Sequence, residues 1–137
     1  MSKPVIAAVL YGTSLAALGI MVNSAGWLLY LTALFWILVF VVHLCAIHGG
    51  LKAYPYSVRP LLVSSVGFLI FSLARYDGGD VGGYTGLSCL LARLGIIDTA
   101  YVTGWESLQW LYLWLFVQLS LDLRIIGKAN TISRMDH

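Results

Sequence analysis

The chain has 137 residues, of which 60% are hydrophobic and only 10% charged, and its mean hydropathy is +0.87. A soluble domain carries about 25% charged residues, so the charge here is too sparse to cover a water-facing surface. The net charge is +2 and the basic residues are scattered, which argues against a nucleic-acid partner because that needs a clustered basic face. The composition therefore predicts an all-α integral membrane protein, a single domain over residues 1–137, with the lipid bilayer as its solvent.

Four apolar segments are predicted to form a bundle of four membrane-spanning helices, since a span needs about 20 apolar residues with a range of about 17–25. Pro4 suits the first turn of the first helix. The third segment is the shortest, and it spans a bilayer only if Arg59 and Arg75 at its ends reach toward the headgroups. The predicted spans are about 4–22, 27–47, 59–75 and 105–124.

Small residues recur along one face of the first helix at spacings of three and four. Such a face lets helix backbones approach closely, because dispersion packing drives helix association in lipid. The sequence favours packing within the bundle, against the second or fourth helix, over docking onto another membrane protein, since every bundle needs such a face. The residues of this face are Ala8, Gly12, Ala16 and Gly19.

Charge is distributed unequally between the two sides that four spans define. With the N-terminus inside, six basic residues lie on the inner side and two on the outer side. The positive-inside rule then predicts both termini on the cytoplasmic side, or on the matrix or stromal side of an organelle membrane. The inner residues are Lys3, Lys52, Arg59, Arg124, Lys128 and Arg134, and the outer ones are Arg75 and Arg93.

The third connection, about Arg75 to Gly104, holds three of the six acidic residues and is predicted to lie outside. Its glycine-rich part, which includes Asp77 and Asp80, predicts repeated tight turns. Two alternatives remain for this part: an ion site that uses the two aspartates, and a pore element whose composition resembles a potassium-channel filter loop. Farther along, apolar residues at helical spacing predict a short interfacial helix: Leu87, Leu90, Leu91, Leu94 and Ile97.

Ionisable residues inside or beside a span are candidates for function by default. His43 and Asp122 are expected at similar depth, with Gln118, about one turn from the inner ends of the second and fourth helices. A His43–Asp122 pair is therefore reasonable, and it could pass a proton. On the outer side, Arg75 and Glu106 are predicted to pair across the third and fourth helices, because one ends a span and the other begins the next.

The same aspartates, Asp77 and Asp80, compete for Arg75 as alternative partners. A structural role is favoured for both predicted pairs, because interfacial placement avoids most of the cost of burying a charge.

No catalytic, cofactor or metal motif is recognisable, so an enzyme is not expected. Cys45 and Cys89 are predicted to lie near opposite faces of the membrane as free thiols, since the α-carbons of a disulfide lie within about 7 Å. The sequence favours a non-catalytic accessory or structural subunit of a larger membrane complex, with other membrane subunits as partners. The alternatives are a homo-oligomeric channel or small transporter that uses the Asp/Gly-rich third loop, and a membrane enzyme with its active site on the outer loop.

Overall fold

A computed structural model describes residues 2–24, 33–79, 82–102 and 113–135. This part of the chain is mostly helical, as predicted, and adds a small antiparallel sheet. The helices are α1 (Lys3–Asn23), α2 (Ala33–Lys52), α3 (Val58–Ala74), α4 (Gly86–Arg93) and α5 (Trp114–Met135), and the strands are β1 (Tyr76–Gly79), β2 (Gly82–Thr85) and β3 (Tyr101–Val102).

Two of the described helices are long and apolar enough to cross a membrane, judged by length and composition. These are α1 and α2, each with a mean hydropathy of 2.1 over an 18-residue window. The α3 helix is also apolar but has only 17 residues, which is at the short end for a span. The predicted beginnings of the second and fourth spans, at Trp27 and Trp105, lie outside the described residues.

The α5 helix continues to Met135, well beyond the predicted end of the fourth span at Arg124. The polar segment after Gly127 is part of this helix. Hydropathy marks where an apolar surface ends, whereas a helix continues as long as its backbone groups bond along the chain. Packing supports this extension, because Ala129 is buried near its middle.

The four long helices pack on one another in alternating directions, and the most extensive contacts join α2 to α5 and α1 to α3. Two hydrophobic clusters show this alternation. Each cluster takes its residues from the N-terminal half of one long helix and from the C-terminal half of the next. The cluster at the end that carries the N-terminus holds Ile6, Leu10, Ala46, Ile47, Leu51, Leu61 and Ile125. The cluster at the other end holds Ala17, Met21, Trp36, Val39, Phe68, Phe71 and Leu115.

These clusters define two ends of the molecule. The first, here called the basic end, carries the start of α1 and the end of α5, together with the connection between α2 and α3. The second, here called the hairpin end, carries the strands and α4, which packs on α1 and α3.

The glycine-rich segment forms an antiparallel hairpin instead of the predicted series of tight turns. Strand β1 pairs with β2 from Tyr76 opposite Thr85 to Gly79 opposite Gly82, and β3 adds to the other edge of β2. A paired ladder satisfies the backbone groups that isolated turns would leave to water. Asp80, at the tip of the hairpin, lies outside the described residues.

The predicted short helix is present as α4 and begins with a reciprocal cap. Thr85 Oγ1 accepts a hydrogen bond from Ser88 N at 3.0 Å, and Ser88 Oγ accepts one from Thr85 N at 2.9 Å. Two otherwise unpaired backbone donors are satisfied in this way.

Candidate functional site

A layer of polar side chains crosses the interior of the bundle between the two hydrophobic clusters. On each long helix, the layer residues fall in sequence between the residues of one cluster and those of the other. All are at most 1% exposed, so the layer is sealed from solvent. Its members, here called the polar layer, are Ser14 from α1, His43 from α2, Ser64 and Ser65 from α3, and Gln118 and Asp122 from α5.

His43 and Asp122 meet at the centre of this layer, as their predicted depth suggested. His43 Nδ1 lies 3.1 Å from Asp122 Oδ2 and 3.2 Å from Oδ1. The imidazole ring stacks on Phe68, with 5.1 Å between ring centroids. The pair lies deeper than one turn from the helix ends, because α2 continues to Lys52 and α5 to Met135.

Two further donors hold the Asp122 carboxylate. Ser64 Oγ donates to Asp122 Oδ1 at 2.6 Å, and Gln118 Nε2 donates to Oδ2 at 3.0 Å. Gln118 Nε2 also lies 2.6 Å from Ser64 Oγ. The carboxylate thus has partners from three helices, which is the condition under which a buried charged group is tolerated.

The polar layer can accommodate a proton on His43 without movement of its heavy atoms. Ser14 Oγ lies 3.0 Å from His43 Nε2 and 2.8 Å from the carbonyl of Leu10. With an imidazolium, both ring N–H groups donate, to Asp122 and to Ser14, while Ser14 donates to Leu10. With a neutral ring, Nδ1–H still donates to Asp122, and the Ser14 hydroxyl rotates to donate to Nε2.

An acceptor and a donor near the polar layer have no hydrogen-bond partner within the described part of the chain. They are Gln118 Oε1 and Trp114 Nε1, which lie one turn apart on α5. Both side chains lie beside Gly67, where an added Cβ would meet Trp114 Cζ2 at 3.1 Å and Gln118 Oε1 at 3.8 Å. Trp114 and Gly67 also line a cavity of about 250 Å³ on the flank of the bundle.

Arg75 is buried rather than directed toward the headgroups, which corrects the expectation for the third span. Arg75 is only 1% exposed. Its Nη2 donates to Met21 O at 2.9 Å, to Ser24 O at 2.6 Å and to Ser24 Oγ at 2.9 Å. These acceptors belong to the C-terminal turn of α1, where a cation is favoured by the free carbonyls and the helix dipole.

The remaining predicted polar residues cannot be placed in a site. Glu106 and Asp80 lie outside the described residues, so the Arg75–Glu106 pair stays a prediction. Asp77 lies in β1, opposite Tyr84. Across the ranges that the structure describes, no three His, Cys, Asp or Glu side chains come together. Cys45 and Cys89 are not joined in a disulfide, as predicted.

The small-residue face of α1 points out of the bundle. Ala8, Gly12, Ala16 and Gly19 are all exposed, and a Cβ added at either glycine would have no atom within 4 Å. The expected packing of this face within the bundle is therefore wrong for the described part of the chain. The reason is that the opposite face of α1 is the buried one, where Ser14 joins the polar layer and Leu10 and Ala17 join the two hydrophobic clusters.

Three members of the polar layer were not predicted as site residues. Ser14, Ser64 and Ser65 give a weak signal because a helical serine can satisfy its hydroxyl on the carbonyl four residues earlier. Ser14 does make that bond. The available signal was two adjacent hydroxyls, Ser64 and Ser65, in the middle of a largely apolar helix.

Comparison of the chain with protein-family models, with curated proteins and with solved structures finds no match. Function is therefore inferred from two features of the molecule itself. One is a sealed polar layer whose members bond mainly to one another, and the other is an exposed small-residue face on α1.

Proposed function

We propose that this protein is a non-catalytic subunit of a larger membrane complex, with four spans, that docks through the small-residue face of α1. The observation that carries the proposal is the exposure of Ala8, Gly12, Ala16 and Gly19. Small residues at this spacing allow close approach of a second helix, and the chain's own bundle leaves the face open.

The arrangement of charge supports a membrane-spanning orientation with both termini inside. The basic end carries Lys3, Lys52 and Arg59, near the ends of three helices that start or finish there. Cationic side chains at one end of a bundle of apolar helices favour the cytoplasmic side, or its organellar equivalent.

In this proposal the polar layer has a structural role. Its hydrogen bonds join all four long helices at a single depth, and each bond requires one rotation and one register of the helices it links. A polar group in an apolar interior is costly unless its partners are aligned, so alternative packings of the same helices are disfavoured.

Copurification under mild detergent tests the docking proposal. Gly12→Leu and Gly19→Leu should remove a stoichiometric membrane partner while the thermal stability of the isolated chain stays unchanged, because leucine enters open space in the bundle. Gly127→Leu is the matched control, since Gly127 is also an exposed helical glycine and a Cβ added there would have no atom within 4 Å. Retention of the partner by both α1 variants would contradict docking through this face, and purification as a ring of identical chains would contradict an accessory role.

A proton-conducting channel or small transporter is the second candidate, favoured by the His43–Asp122 pair. Both ring nitrogens of His43 have a polar neighbour, Asp122 Oδ2 at 3.1 Å and Ser14 Oγ at 3.0 Å. Gln118 Oε1, without a hydrogen-bond partner in the described part of the chain, lies beside Gly67. This candidate uses the polar layer rather than the Asp/Gly-rich loop, whose Asp80 lies outside the described residues.

Proton flux into liposomes distinguishes the two candidates. A transporter should acidify vesicles that contain the purified protein under an imposed membrane potential, and Asp122→Asn should abolish that flux while the exposed control Ser120→Ala retains it. Flux no greater than that of protein-free vesicles would rule out the second candidate and leave the subunit proposal standing.

A further inference from the structure

We infer that the groove between α3 and α5 at the basic end binds an anionic phospholipid. This inference does not depend on docking through α1. It rests on the combination of a mainly apolar groove and two cations in its wall that form no ion pair within the part of the chain that the structure describes.

The groove is a cavity of about 300 Å³ on the surface of the bundle. One wall is a single face of α5, and the other is formed by the start of α3 and the turn before it. Most of the surface is hydrocarbon. Its lining residues are Tyr56, Ser57, Pro60, Val63, Leu121, Arg124, Ile125, Lys128, Ala129 and Ile132.

Two cations line this groove one helical turn apart. Arg124 and Lys128 are both exposed, and neither forms an ion pair or a side-chain hydrogen bond with another residue in the described ranges. Val63 and Leu121 lie on the side of the groove nearer the polar layer, whereas Lys128 and Ile132 lie toward the basic end. Arg124 and Lys128 therefore lie nearer the basic end than Val63 and Leu121 do.

That order of charge and hydrocarbon matches a phospholipid that enters from the inner leaflet. A phosphate can bond to Arg124 and Lys128 while an acyl chain runs along Val63 and Leu121 toward the bilayer centre. Basic pockets between helices on the inner side of a membrane recognise anionic headgroups in this way. Tyr56, 74% exposed at the rim, suits the interface, where tyrosine is enriched.

A second, shallower groove shares Leu121 and Arg124 with the first. It continues along α5 past Phe116, Val117 and Ser120 toward the hairpin end. Arg124 and Leu121 therefore line both grooves, an arrangement that suits one headgroup with two acyl chains. A soluble anion would use neither track, so the apolar surface points to a lipid rather than to a free phosphate.

Native mass spectrometry of the full chain in detergent tests the site, with phosphatidylglycerol and phosphatidylcholine of identical acyl chains as probes. Phosphatidylglycerol should bind preferentially, and Arg124→Gln with Lys128→Gln should weaken that binding about tenfold or more, since each surface cation contributes appreciably to attraction of anionic lipid. Lys3→Gln with Arg134→Gln removes the same number of exposed charges away from the groove and should leave binding within about twofold of wild type.

Two further arms separate lipid recognition from simple charge attraction. Val63→Trp fills the apolar wall without changing charge and should also weaken phosphatidylglycerol binding, while glycerol phosphate should not displace the lipid. Equal loss in the two double variants, equal binding of both lipids, or unchanged binding by Val63→Trp would each overturn the inference.

Discussion

In the polar layer, one hydroxyl group lies within hydrogen-bond distance of several polar side chains. Ser64 donates to Asp122 and lies within hydrogen-bond distance of Gln118 and His43. In a low-dielectric interior, such a hydroxyl matters because its partners have no water to replace it. The sequence predicted the His43–Asp122 pair from the expected depth of two ionisable residues. It did not predict Ser64, because which serine faces the pair depends on the rotation of the helices.

Replacement of this hydroxyl should destabilise the protein measurably. Ser64→Ala should lower the free energy of unfolding by about 1–3 kcal/mol, the usual cost of leaving buried polar partners unsatisfied. Ser120→Ala should change it by less than about 0.5 kcal/mol, because Ser120 is exposed and bonds only to Phe116 O. Thermal unfolding in detergent measures both, and equal effects of the two substitutions would contradict the importance of the layer.

Arg75 acts as a cap on a helix that is distant in sequence. Arg75→Leu should lower the free energy of unfolding by about 1–3 kcal/mol, since it leaves the carbonyls of Met21 and Ser24 without their donor. Hydrogen exchange should then increase first in the last turn of α1. Arg93→Leu, an exposed arginine at the end of α4, is the control and should leave both measurements near wild type. Unchanged exchange in α1 after Arg75→Leu would contradict the capping role.

At the scale of elements, close approach of α4 to α3 depends on the absence of a side chain at Gly86. A Cβ there would lie 1.9 Å from the backbone oxygen of Ser72 and 2.9 Å from the Ile20 side chain. Backbone cannot move aside as a flexible side chain can, so the start of α4 requires glycine. Leucine periodicity predicted this helix, whereas the contact that positions it could not be read from local pattern.

Substitution at this junction should therefore be costly despite its small size. Gly86→Ala should destabilise the protein by about 1–3 kcal/mol through overpacking. Gly127→Ala is the matched control within α5, where nothing lies near the new methyl group, and it should be neutral or stabilising by up to about 1 kcal/mol. Denaturation of both variants under the same detergent conditions gives the comparison. A neutral Gly86→Ala would show that α4 can separate from α3 without cost.

At the scale of the whole molecule, alternation of the long helices places the start of α1 and the end of α5 at one end and the hairpin at the other. In a four-span topology, a single cysteine at Tyr56 should react with an impermeant reagent from the inner side only. A single cysteine at Leu94 should react from the outer side only, and both positions are exposed. The background replaces Cys45 and Cys89 with serine, and labelling of both positions from one side would contradict the topology.

Composition and hydropathy were sufficient to predict a helical, apolar chain, the approximate positions of α1 and α3, and the short α4 helix, because these depend on local spacing along the chain. The His43–Asp122 pair was also within reach, since two ionisable groups in apolar helices need partners. Which way α1 faces was decided only by tertiary packing. Ser14 is buried in the polar layer on the same face as Leu10 and Ala17, and burial of this face exposes Gly12 and Gly19 on the opposite one.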